Sequence, residues 1–77
     1  MAIGFVLITT EPGREKDVRE AIEKVDLVTN QWLLFGAYDL IARVQAEDEM
    51  LLTQCIVEEI RTTPGIADTK TLIGAEL

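Results

Sequence analysis

The chain contains no histidine and a single cysteine, Cys55. Without histidine there is neither a Cys/His nucleophile pair nor a His-based metal site, and one cysteine closes no internal disulfide. Cys55 shares helical spacing with Leu52, Ile56 and Ile60, which marks it as a small buried apolar residue rather than a reactive thiol. Basic residues are also scarce: 7 Lys and Arg stand against 14 Asp and Glu, a net charge of −7. Scattered among acids, they build no phosphate-binding cluster, so no direct contact with nucleic acid is expected. Also missing are an apolar run of about 18 residues and a cationic start followed by an apolar stretch and a cleavage site. The expectation is a cytoplasmic protein that neither spans a membrane nor is exported.

The apolar content is high for so short a chain. A domain of 77 residues hides only about 60–65% of the surface its unfolded chain exposes. With 48% hydrophobic residues there is more apolar material than one small core can cover, and an oligomer is the first expectation. No linker, low-complexity segment or strong internal repeat interrupts residues 1–77, which read as a single domain.

Residues Ile3 to Thr10 form an apolar run stopped by Glu11-Pro12-Gly13, as a buried strand would be. From Arg14 to Val25 the apolar Val18, Ala21, Ile22 and Val25 fall on one helical stripe, with Glu15–Arg19 and Glu20–Lys24 as i,i+4 pairs elsewhere. Leu27 to Phe35 and Tyr38 to Val44 have strand composition, and Gly36-Ala37 between them suits a tight antiparallel hairpin. Asp48 and Glu49 put carboxylates at a helix start, and Met50 to Arg61 follows with Leu52, Cys55, Ile56 and Ile60 on one stripe. Thr63-Pro64-Gly65 ends that helix, and Ile66 to Ile73 reads as a last strand. The order βαββαβ predicts an α+β, ferredoxin-like sandwich: a four-stranded antiparallel sheet with two helices on one face. Alternation puts Ile3, Phe5 and Leu7 opposite Val6 and Ile8, and Tyr38, Leu40, Ala42 and Val44 opposite Ile41. Both faces are therefore apolar, and the face without helices needs a second layer, most simply the same sheet in a homodimer.

The segment Gly36-Ala37-Tyr38-Asp39-Leu40 resembles the Gly-x-Tyr-Asp-Leu segment of the ligand-binding domain of the Lrp/AsnC regulators. Pro12-Gly13 before the first helix, Val25 and Val28 leading into the second strand, and "PGIADTKTLI" from Pro64 to Ile73 extend the similarity over essentially the whole chain. Those regulators carry an N-terminal helix-turn-helix domain. Here Met1 is followed almost at once by the first strand, so the chain resembles a stand-alone form of the effector domain, the RAM module. The resemblance implies sheet-to-sheet dimers assembling into rings, commonly octameric, with small effectors, typically amino acids, bound at contacts between dimers. It implies action on transcription through other proteins, full-length Lrp/AsnC regulators among them, and no enzymatic activity or cofactor.

An amino-acid effector presents a carboxylate and an ammonium group, which need donors and acceptors respectively. In the hairpin, Gly36, Ala37 and Tyr38 offer backbone groups, and Asp39 offers a carboxylate that suits either an ammonium group or the turn's own N–H groups. Thr69 and Thr71 correspond to the family's paired threonines and would add hydroxyls, although strand composition explains them too. Trp32, on a face with Asn30 and Leu34, fits subunit packing or a ligand wall. Glu47-Asp48-Glu49 and Glu58-Glu59 read as solvated helix ends and faces rather than a metal site. Two other functions compete. One is a dimeric ferredoxin-like oxygenase or isomerase using Asn30, Trp32 and Arg43 between sheet and helices. The other is an assembly partner of full-length regulators with no effector of its own.

Overall fold

The structure is a computed structural model that describes residues 1–74; the rest of the expected domain, 75–77, lies outside the described residues. Strand β1 (Ala2–Thr10) leads into helix α1 (Glu15–Glu23), strands β2 (Val28–Leu33) and β3 (Leu40–Ala46), helix α2 (Glu49–Cys55) and strand β4 (Ile66–Ile73). The sheet order is β2-β3-β1-β4 and every pairing is antiparallel. The ferredoxin-like expectation is met.

Strand β1 shows why. Ala2, Gly4, Val6, Ile8 and Thr10 are buried, while Ile3, Phe5, Leu7 and Thr9 are only partly so. Period-two alternation sends the first set under the helices and the second to the helix-free face. Strand β3 repeats the pattern, burying Leu40, Ala42, Val44 and Ala46. These residues meet Val18 and Ile22 of α1 and Leu52, Cys55, Ile56 and Ile60 of the second helical segment in one core. Helix α2 starts where an acid caps it, with Asp48 Oδ1 accepting from the Leu51 N–H at 2.8 Å. On α1 the ion pair that forms is Arg14–Asp17, at 3.1 Å, rather than the i,i+4 pairs expected there. It is solvent-exposed, so its contribution is small.

Three details differ from the sequence reading. The β2–β3 connection is not a two-residue turn: the strands end and begin at Leu33 and Leu40, leaving residues 34–39 as a loop. The Leu34 N–H still donates to the Asp39 carbonyl at 2.9 Å, but the Asp39 N–H goes to the Ile8 carbonyl on β1. The backbone of Asp39 is thereby tied to β1, and residues 35–37 at the tip are exposed. The first helix is shorter than expected, since the Val25 N–H bonds the Ile22 carbonyl and Val28 the Val25 carbonyl in successive turns. The second helix does not run uniformly to Arg61. After Cys55 it becomes a π-helical turn, Ile56–Ile60, in which the Arg61 N–H reaches the Ile56 carbonyl. The hydroxyls of Thr62 and Thr63 then donate to the Glu58 and Glu59 carbonyls at 2.6 and 2.9 Å, satisfying groups that a helix end leaves without partners.

Leu52 is fully buried between α2 and the sheet. Leu52→Ala is expected to cost about 2–5 kcal/mol, a large share of a small domain's stability. Urea denaturation should show the midpoint falling with the slope unchanged.

Candidate functional site

The β2–β3 loop lies at the end of the sheet where β1 runs out. Phe35, Gly36 and Ala37 are exposed, and Tyr38 and Asp39 are partly buried. Gly36 has φ of 132°, and a Cβ built there would meet nothing within 4 Å. Its requirement is therefore conformational, a backbone angle that L side chains rarely adopt, rather than crowding. The Asp39 carboxylate does not serve its own turn. Its Oδ2 accepts from the Thr10 N–H at 2.8 Å and from the Thr10 hydroxyl at 3.0 Å. The loop is thus braced to β1 twice, by this carboxylate and by the Asp39 N–H. The next residue of β1's exit, Glu11, donates its N–H to the Gly65 carbonyl at 2.8 Å. Gly65, with φ of 95°, packs so closely on α1 that a Cβ would stand 3.0 Å from Val18 Cγ2. Three connections thereby converge on one end of the sheet.

The paired threonines approach from the other side of β1. Thr69 pairs with Ile8 and Thr71 with Val6, so both side chains are on the helix side, at the outer edge of the sheet. Thr71 lines a cleft of about 230 Å³ with Thr53, Ile56, Val57, Arg61 and Ile73. That cleft combines an aliphatic floor, two hydroxyls and one guanidinium, which suits a small carboxylate with an apolar body. Within one chain, Gly36, Ala37, Tyr38 and Asp39 are not among its lining residues. Thr69 is level with the loop through Ile8, but β1 stands between them. Sequence reasoning missed Thr10 and Arg61. Thr10 had a visible signal, a polar residue at an inward position of an apolar strand. Arg61 had a weaker one, a lone cation just after Glu58-Glu59.

Trp32 pairs with Ile41, and Asn30 with Arg43, placing all three of Asn30, Trp32 and Arg43 on the helix-free face. They do not stand between sheet and helices, where the oxygenase or isomerase alternative puts them. Arg43 Nη1 instead donates to the Thr29 hydroxyl at 2.7 Å. Trp32 is 48% exposed. Cys55 is buried, and burial, reinforced by Glu59 and by the charge of Asp26, pushes its thiol up from 9.0 to about 11. It is neither a poised nucleophile nor a ready ligand. Among the described residues no group of three or more Cys, Asp or Glu is arranged to hold a metal ion.

A family model described as the Lrp/AsnC ligand binding domain matches residues 3–75. The chain belongs to the Lrp/AsnC family. An uncharacterised helix-turn-helix-type transcriptional regulator of Pyrococcus horikoshii is 30% identical over 71 residues, covering 92% of this chain and 45% of the relative. The chain spans about half the length of the curated relatives it matches. Among solved structures, FFRP-DM1 superimposes with a TM-score of 0.92 at 35% identity, covering 97% of this chain and all of that one. A more distant neighbour, a transcriptional regulator of Neisseria meningitidis in complex with L-Met, shares the fold with a TM-score of 0.80 at 16% identity, covering 97% of this chain and 50% of that one. This Lrp/AsnC domain thus comes from a family of transcription regulators. No helix among its described residues is long and apolar enough to cross a membrane.

Asp39→Ala leaves the inward Thr10 N–H without its acceptor and is expected to cost about 1–3 kcal/mol. Combined with Thr10→Val in a double-mutant cycle, it should reveal a coupling of about 0.5–3 kcal/mol by chemical denaturation. For Cys55 the unfolded thiol ionises before the folded one. Its contribution to stability is therefore complete below pH 9.0 and is lost as pH rises toward about 11. Thermal midpoints measured between those limits should fall more in the wild type than in Cys55→Ala.

Proposed function

We propose that this chain is a non-catalytic effector-binding module. It works in the cytoplasm, binds an amino acid or related small metabolite at contacts between subunits, and acts on transcription through other proteins. The observation that carries this proposal is the separation of complementary groups. The loop with Gly36, Ala37, Tyr38 and Asp39 lies on one side of β1, and the Thr71–Arg61 cleft lies on the other. A ligand with a carboxylate, an ammonium group and an apolar side chain is matched by the two together, not by either alone. Bringing the loop of one subunit against the cleft of another completes such a site. In it Arg61 and the hydroxyls of Thr69 and Thr71 take the carboxylate, and loop carbonyls and the outward part of Asp39 take the ammonium group. The L-Met complex of the Neisseria regulator supports an amino acid as the ligand class.

The helix-free face supports the oligomer. Ile3, Phe5, Leu7 and Ile41 are only half-buried there, and Trp32 and Leu72 are 48% and 50% exposed. Pairing two such faces forms a homodimer, and loop-to-cleft contacts between dimers join them into a closed ring, an octamer in the arrangement proposed here. A full-length relative with the same domain is able to enter such a ring, which connects an effector to DNA without any nucleic-acid contact by this chain.

Thermal unfolding at fixed subunit concentration against a panel of amino acids tests the proposal. A ligand at about 100 times its dissociation constant adds about 2.7 kcal/mol per site, and a domain of this size moves by about 4–8 °C per kcal/mol. One or a few amino acids should raise the midpoint on that scale. The increment, measured from each variant's own ligand-free midpoint, should largely vanish in Arg61→Gln and Thr71→Val. A flat response across the panel would remove the sensing role and leave mixed assembly with full-length regulators.

A further inference from the structure

The second helical segment carries an exposed face that the core does not account for and that meets the proposed effector cleft only along one border, at Thr53 and Val57. From Glu49 to Ile60 it contains three glutamates and no Lys or Arg. Met50 is 78% exposed and Val57 46%. With Thr53 and Gln54 they form a stripe at the i, i+3, i+4, i+7 spacing of a helix-binding face. Glu49 and Glu58 close its two ends, and the six residues, all from this one helical segment, line a shallow open groove. Gln54 Nε2 donates to Glu58 Oε2 at 3.3 Å, which holds one of the acids along the rim.

We infer that this groove docks a basic amphipathic helix of a partner protein. The partner's apolar stripe would rest on Met50 and Val57, and its Lys or Arg side chains would meet Glu49 and Glu58. The charge pattern selects that occupant. Anionic surfaces, whether nucleic acid or acidic lipid, are repelled by an acid-rimmed groove. A second copy using the same face in a two-fold contact would set glutamates of one helix against those of the other. Elsewhere among the described residues the α1 region offers no unmixed basic face: Arg14, Lys16, Arg19 and Lys24 alternate with Glu15, Asp17, Glu20 and Glu23. What complements two exposed apolar side chains, Met50 and Val57, bounded by carboxylates is a helix that is apolar on one side and cationic beside it.

The probe is a fluorescent Leu/Lys amphipathic helical peptide of about 18 residues, five helical turns, with a Leu/Glu peptide of identical pattern as its counterpart. Anisotropy reads affinity, and amide chemical shifts of the isotope-labelled protein read location. The Leu/Lys peptide should bind, perturbing residues 49–58, and the Leu/Glu peptide should not. The Glu49→Lys/Glu58→Lys variant, and separately Met50→Ser, should weaken binding by about tenfold or more, in keeping with the loss of charge pairs or an anchor. The same charge change on α1, Glu20→Lys/Glu23→Lys, should alter it less than about twofold once salt screens distant charges. An equal loss in the α1 variant would reduce the effect to net-charge attraction and overturn the inference. So would shifts that map to another surface, or shifts at residues 49–58 that appear with protein concentration alone and assign the face to a second copy.

Discussion

Strand β1 is hydrogen-bonded along both edges, to β3 on one side and β4 on the other, and the rest of the molecule depends on that double pairing. It joins the two halves of the fold, since β2 reaches the rest of the sheet only through β3. Its inward residues floor the core beneath both helices, and its outward residues supply much of the apolar face without helices. Even its last residue is used on two sides: Thr10 holds Asp39 in the β2–β3 loop, and the adjoining Glu11 N–H holds Gly65. The loop and the threonines of β4 have a defined spacing because the same strand lies between them.

Under the proposed function, this arrangement explains why one chain would present half-sites. A four-stranded sheet with β1 near its middle cannot fold its β2–β3 loop over β4 without breaking the ladder that positions both. Polar groups suited to the two ends of an amino acid are therefore kept apart within a subunit. Apolar residues on the helix-free face favour a second layer in the same way, because they stay partly exposed in the single chain. In the proposed assembly, subunit contact and ligand recognition would be linked properties of the same surfaces.

Much of the fold was legible because strong periodicities do not compete with one another here. The alternation in Ile3–Thr10 and the stripe of Val18 and Ile22 leave little choice of element, and Pro64-Gly65 marks the last strand's start. The connection at Gly36 was harder to read. Gly-Ala is short enough for a hairpin, and nothing local reveals that the Asp39 N–H bonds across to Ile8 on a strand thirty residues earlier. The same long-range pairing hid the role of the Asp39 carboxylate, whose partner Thr10 is adjacent only in the folded sheet. The π-helical turn was invisible for a related reason: an apolar stripe at Leu52, Ile56 and Ile60 fits a regular helix almost as well. The candidate ligand groups were readable as residue types, but their division between two sides of β1 is a property of strand order.

The turn at Ile56–Ile60 has a bearing on how such a chain tolerates change in length. A wide helical turn accommodates one residue more than a regular turn covering the same axial distance, and here it does so with Ile56 and Ile60 both buried in the core. Slack is thereby stored inside the element rather than in a loop. Loss of one residue between Leu52 and Pro64 is expected to tighten that turn into a regular one while the register of β4 against β1 stays in place.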